Sequence, residues 1–307
     1  MDITKLWDGF HLTLPKRLGD AYRSVLDENG LLPEAIGPRP SPPPVGGLTQ
    51  EQTDIHFAHA FDGSAARAEL VLLNPNGETE SAATVLRQFL SGGALCLVDV
   101  PCGAGAGSLA LLSTIAELRK EQELPRQPLD VRLLWGEISA PALKYAIRLL
   151  AEIEGDLADQ GITVVVETLP WDVLDEVSNV ELVQKIAQTK TTHPQILLLV
   201  CNFSGFLERQ GKWKAAAPGL KMLLQFCSGD MNAGVWLEPD QKAVSKGLFQ
   251  KLGNLIGGLI AFANQVGKDD EGDAASAKFH CPIGTGKTYR VSVRTMPFEL
   301  ALKRSSK

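Results

Sequence analysis

Long apolar runs are missing from this 307-residue chain. Lys, Asp or Gln interrupts every one, so no stretch reaches the roughly 20 apolar residues that a bilayer core demands. No membrane partner is expected. A surplus of positive charge is missing too. Lys and Arg number 30 against 36 Asp and Glu, a formal net charge of -6. That balance disfavours a protein living on the nucleic-acid backbone, although a local basic patch survives such an average. Cysteine is scarce: Cys96, Cys102, Cys201, Cys227 and Cys281 are odd in number and contain no C-x-x-C pair. A disulfide framework and a zinc cluster are therefore not expected, no metal ligands are assigned, and a reducing cytoplasm is the expected compartment. The opening residues Met1 to Trp7 have neither a basic n-region nor an apolar h-region, so no secretory signal is expected. What is present is ample core material: 44% hydrophobic and 21% charged residues, enough for one large domain or two modest ones.

Proline supplies the first punctuation. Residues 37–47 hold five prolines and three glycines. Prolines lack amide donors and fix φ, so this is an extended connector. The segment before it is expected to be helical around Leu18 to Leu26 and too small for a core of its own. Residues 1–93 are thus read as an N-terminal helical lid or extension, and 94–307 as the main ligand-binding domain. Leu48–Phe61, Ser64–Leu73 and Ala82–Leu90 read as separate helices. Beyond them, apolar runs alternate with amphipathic stretches. The expected strands are Ala94–Val100, Val131–Trp135, Ile162–Glu167, Gln195–Cys201 and Ala233–Glu238. The intervening helices are Ser108–Gln122, Ala140–Gln160, Val180–Thr189 and Ala215–Ser228. Continuous aliphatic runs such as Ile196 to Val200 mark strands buried on both faces, and βα alternation marks a parallel sheet between helical layers. A further helix is expected over 243–266, then an acidic run over 268–273. A hairpin of Lys278–Pro282 and Thr288–Thr295, joined by a Gly-rich turn, closes the sheet. The fold class is α/β, a doubly wound, mostly parallel, seven-stranded Rossmann-like sheet with an antiparallel terminal hairpin.

The strongest chemical signal is Asp99-Val100-Pro101-Cys102-Gly103-Ala104-Gly105, at the end of the first expected strand. Glycines there let the backbone turn and approach a ligand. Dinucleotide- and nucleoside-binding folds both use such a turn. Asp99 separates them, because a carboxylate repels a pyrophosphate and suits a cationic, amine-bearing ligand.

This segment resembles motif I of the class I S-adenosylmethionine-dependent methyltransferases. Trp135-Gly136-Glu137-Ile138-Ser139 resembles the family's acidic segment after the second strand, which implies that Glu137 binds ribose hydroxyls beside Ile138. Pro170-Trp171-Asp172 resembles the segment whose acid meets the adenine amino group, a role falling on Asp172, with Trp171 as a stacking surface. Gly234-Val235-Trp236-Leu237-Glu238-Pro239 resembles the fifth strand with its Glu-Pro ending. The resemblance implies S-adenosylmethionine as the cofactor, held by Asp99, Cys102, Gly103, Gly105, Glu137, Ile138, Trp171, Asp172 and Asn202. It implies methyl transfer; the acidic net charge favours an oxygen or nitrogen of a small molecule as acceptor, and Asn202 and Ser204, at the fourth strand's end, are the first choices for catalysis. Three departures stand. Pro101 replaces the usual first glycine. About 40 residues separate Asp99 from Glu137, against about 20 in a compact nucleotide-binding unit. Asn202-Phe203-Ser204-Gly205 replaces the Asn/Asp-Pro-Pro-Tyr of enzymes that methylate base amino groups.

Alternatives remain open. They are an RNA- or protein-directed methyltransferase, a non-catalytic methyltransferase-like subunit of a complex, and a dehydrogenase, for which Ser108 stands where Gly or Ala should pack the helix. The chain says nothing of oligomeric state. Gly284 to Thr288 mimics a P-loop, but Cys281 occupies its first glycine position and a strand follows, so Lys287 reads as a solvated turn residue. His56 and His59 stand at i, i+3 with no further ligand nearby. They are expected to be surface or capping residues, or else to line an acceptor pocket with Phe57 and Phe61. His193 and His280 are expected to be chemically silent, and the basic tail 303–307 a solvated end.

Overall fold

A computed structural model describes residues 5–41, 44, 46–240, 272–284 and 286–300. The expected helix over 243–266, the acidic residues 268–271 and the basic tail lie outside them.

The chain opens with strand β1 (His11–Thr13), helix α1 (Lys16–Glu28) and the short α2 (Leu32–Ile36). After the connector, α3 (Gln50–Leu73) and α4 (Glu80–Leu90) precede the alternating body. That body runs β2 (Gly93–Asp99), α5 (Ala106–Lys120), β3 (Leu129–Gly136), α6 (Ala140–Asp159), β4 (Ile162–Leu169), α7 (Glu176–Thr189) and β5 (Gln195–Cys201). It continues with α8 (Ser204–Arg209), α9 (Trp213–Phe226), β6 (Ala233–Pro239), β7 (Asp273–His280) and β8 (Thr288–Glu299).

The eight strands among the described residues form one sheet, in the order β1-β7-β8-β6-β5-β2-β3-β4. Only β8 runs against its neighbours, β6 and β7; every other pairing is parallel. This is the expected Rossmann-like architecture with its antiparallel terminal hairpin, enlarged from seven strands to eight. The extra strand comes from the N-terminal segment, where His11 to Thr13 lie beside Lys278 to His280. Three residues carry no readable period, and their partner lies more than 260 positions away, so nothing local announces them.

The chain leaves β2 towards β3 and β4, then returns to place β5 on the other side of β2. The carboxyl ends of β2 and β5 therefore diverge into a crevice, where open α/β sheets seat their ligands. The long spacing after Asp99 is absorbed by α5 and the connection that follows it. Register then sets Trp135 beside Asp99 and leaves Glu137 just past the strand's end.

Both faces of the sheet are covered. One core combines Leu18, Tyr22 and Leu26 of α1 with Phe57 and Phe61 of α3, Leu109 and Leu112 of α5 and Leu149 of α6. The N-terminal segment is thus continuous with the main core. The opposite core gathers Leu182 and Ile186 of α7, Leu220 and Leu223 of α9, and Trp171 and Trp236.

Helix α3 corrects the two-helix expectation for 48–73. It runs unbroken through Gly63, from a Thr49 hydroxyl that accepts the Gln52 amide to a left-handed Asn74. A mid-helix glycine costs about 1 kcal/mol, which two buried turns on either side outweigh.

Candidate functional site

Asp99 ends β2 and is enclosed, 1% exposed. Its Oδ2 accepts the Ser108 hydroxyl at 2.6 Å and the Ser108 amide at 3.4 Å. The same hydroxyl accepts the Trp135 indole N–H at 2.9 Å. Oδ1 has no hydrogen-bond partner. Burial pushes the carboxyl up to about 7; the Ser108 donors oppose the shift and Glu137 adds to it. Its Oδ1 can accept a further hydrogen bond, stronger when the carboxyl is ionised and the donor cationic. Ser108, which the sequence reading used only to argue against a dinucleotide, is what orients Asp99.

The turn after Asp99 works through two glycines. Gly103 has a φ of +55°, with open space where a Cβ would stand. Gly105 has a φ of +76°, and a Cβ there would lie 3.1 Å from Leu109 and Trp135. The first therefore leaves open space beside the turn and the second lets α5 dock. Cys102 is buried, its amide donates to the Gly136 carbonyl at 3.0 Å, and burial pushes its thiol well above the ordinary range. It is an unreactive wall.

Glu137 bridges the turn to the next helix. Oε2 accepts the Gly103 amide at 2.9 Å and Oε1 the Ser139 amide at 2.8 Å. Burial raises its carboxyl, against those amides. Ile138 beside it is 47% exposed, an apolar surface at the mouth of the site. Ser139 caps α6 and meets Thr53 of α3, hydroxyl to hydroxyl at 3.1 Å. Asp172 is half-buried and accepts the Leu174 amide at 2.9 Å in a tight turn. Trp171 departs from the stacking expectation. It is 2% exposed, its indole N–H donates to Asn179 Oδ1 at 2.9 Å, and its ring packs with Phe203. The apolar surface that faces outward is Ile138 instead.

Asn202 follows β5 with a left-handed φ of +57°. Its amide donates to the Leu237 carbonyl at 2.8 Å and its Nδ2 to Ser64 Oγ of α3 at 3.1 Å. Ser204 is enclosed and its amide donates to Glu238 Oε1 at 2.7 Å, an oxygen shared with the Trp236 indole. Of the two expected catalytic residues, Asn202 is half-buried just past the end of β5, while Ser204 is buried with its amide tied to Glu238.

The histidines of α3 separate. His59 is buried against Glu34 at 2.7 Å, and Phe57 and Phe61 stack in the core with Tyr22 and Tyr145, so these three line no pocket. His56 shares a helix stripe with Gly63 and Arg67, at i, i+7 and i+11. Burial, then Arg67 and Arg209, pull its imidazole down to about 4, so it is neutral at physiological pH.

Elsewhere, Asp8, His11 and His280 bring one ligand atom each to within 4.8 Å of one another at the β1 edge. No spacing rule could join them. Lys287 is half-buried and reaches the carbonyls of Ile36 and Gly37 at 3.5 and 3.4 Å, rather than standing free. All five cysteines are free thiols. Among the described residues, no helix is long and apolar enough to cross a membrane.

No protein-family model and no curated protein matches the chain. Among solved structures, the precorrin-6y C5,15-methyltransferase of Geobacter metallireducens GS-15 is similar over 71% of this chain and 87% of that one, at 12% identity and a TM-score of 0.31.

Proposed function

We propose that this protein is an S-adenosylmethionine-dependent methyltransferase acting on an oxygen or nitrogen of a small-molecule acceptor. One observation carries the reading. Asp99, the Gly103–Gly105 turn, Glu137, Asp172 and Asn202 all stand at strand ends around the β2/β5 switch point, each with chemistry suited to part of that cofactor. Asp99 Oδ1 takes the amino-acid ammonium. Glu137, turning from the Gly103 and Ser139 amides, takes the ribose diol. Asp172 meets the adenine amino group and Ile138 covers the ring. Two carboxyls flanking the turn oppose a dinucleotide's diphosphate.

When bound, the cofactor's sulfonium supplies an activated methyl group for in-line displacement by an acceptor lone pair. The protein's part is alignment and exclusion of water. Helix α3 lies across the cleft from Ser139 to Asn202 and supplies that cover. Asn202 orients the acceptor.

Calorimetric titration with S-adenosylmethionine, S-adenosylhomocysteine and NAD, in wild type and Asp99→Ala, tests the reading. Micromolar binding of the two adenosyl ligands, lost in the variant, is expected. Binding of NAD alone would overturn it in favour of a dehydrogenase. Silence with all three would leave a scaffold without transfer activity.

A further inference from the structure

Gly63 sits in the middle of α3, where alanine would be the better helix former. Packing does not require the glycine. A Cβ built there meets its nearest neighbours at ordinary contact distance: the Tyr289 hydroxyl at 3.4 Å, Arg67 Nη1 at 3.7 Å and Arg39 Nη1 at 3.9 Å. Three hydrogen-bond donors, two of them cationic, therefore converge on one methyl-sized space above bare backbone. They come from the connector, α3 and β8.

The local charges do not cancel one another completely. Arg39 pairs with Asp62 at 2.9 and 3.1 Å and lies 3.8 Å over the Tyr289 ring. Asp62 is further occupied by the Gly63 amide at 2.7 Å and the Cys281 thiol at 3.4 Å. Arg67 has no carboxylate partner. Its Nη2 donates to Ser64 Oγ at 3.2 Å, and its buried Nε has no hydrogen-bond partner. Glu238 is the other acid whose charge reaches it, and that carboxyl is taken up by the Ser204 amide and the Trp236 indole. Arg67 as a whole is half-buried, yet a guanidinium whose Nε is enclosed and which is held by one hydroxyl is costly to keep. Ser64 also receives Asn202 Nδ2, so this cation is one hydroxyl away from the residue at the end of β5.

We propose that Arg67, Arg39 and Tyr289, over the bare backbone of Gly63, seat an anionic oxygen of the methyl acceptor, a carboxylate or a phosphate. The seat rests on geometry alone; calling its occupant the acceptor rests on the methyltransferase reading. The same contacts would orient the acceptor towards Asn202, and a neutral substrate would leave the guanidinium uncompensated.

The test uses the full chain as wild type, Arg67→Met and Gly63→Ala, titrated with sodium acetate and with inorganic phosphate at constant ionic strength set by chloride. Heat and Tm are both followed. Wild type is expected to show saturable stabilisation by one of the two anions in the millimolar range, which assigns the seat to carboxylate or phosphate. Both variants should weaken that binding at least tenfold. With chloride as the only anion both should melt at or above the wild-type Tm, because one removes a half-buried cation without a carboxylate partner and the other a helix-interior glycine. Equal anion binding in all three proteins, or none in wild type, would overturn the seat. Gly63→Ala, the smallest change, decides the matter if Arg67→Met folds poorly. S-adenosylmethionine is titrated into the same proteins. Its binding without an anion response removes the seat alone, whereas an anion response without its binding removes the methyltransferase reading and keeps the seat.

Discussion

If Asp99 holds the cofactor's ammonium group as proposed, affinity for that cationic ligand should depend on pH. The buried carboxyl titrates near 7, and an ammonium group on Oδ1 needs it ionised. With that pKa, about 9% is ionised at pH 6 and about 91% at pH 8, so affinity for S-adenosylmethionine should rise about tenfold, or about 1.4 kcal/mol. Binding at pH 6 should release close to one proton, read by calorimetry in two buffers of different ionisation heat. Without ligand the sign reverses. The folded pKa stands above the unfolded value of 3.8, so the group's contribution to stability is fully present below pH 4 and is lost as pH rises through 7. Asp99→Asn should flatten both dependences and weaken binding by about 1.5–3 kcal/mol, the worth of a charged hydrogen bond. An affinity that stays flat between pH 6 and 8 in wild type, or a rise that persists in Asp99→Asn, would refute the assignment.

Two further substitutions test the frame of the site. Gly107→Ala would put a Cβ 2.8 Å from Cys201 Sγ and 3.2 Å from Leu199, wedging α5 off β5; a loss of about 1–3 kcal/mol in chemical denaturation is expected, and an unchanged midpoint would show that the helix can shift freely. Glu69 of α3 is wholly buried with both carboxyl oxygens unpartnered, and burial pushes its carboxyl far up. Glu69→Leu should therefore stabilise the protein by about 1–3 kcal/mol. It should also remove part of the stability lost on raising the pH, both visible in melting curves from pH 5 to 9.

The continuous aliphatic text of Ile196 to Val200 and the amphipathic stretches around it determined a parallel sheet between helices, because burial on both faces leaves no other pattern for a strand. The placement of Asp99, the glycines after it and Glu137 at strand ends was legible for a similar reason: a turn that close to a strand's end admits few residue types. Glu137 stayed legible despite its distance from Asp99, since register counts from the strands and not from the loop between them. Tertiary structure alone decided what depends on distant neighbours. It turned Trp171 into core, because Asn179 and Phe203 close over it. It added β1 to the sheet through backbone bonds that any side chains could make. It also gathered Arg39, Gly63, Arg67 and Tyr289 around one point. Each of the four reads locally as a connector, helix or strand residue, and only the packing of α3 against β8 makes their donors converge.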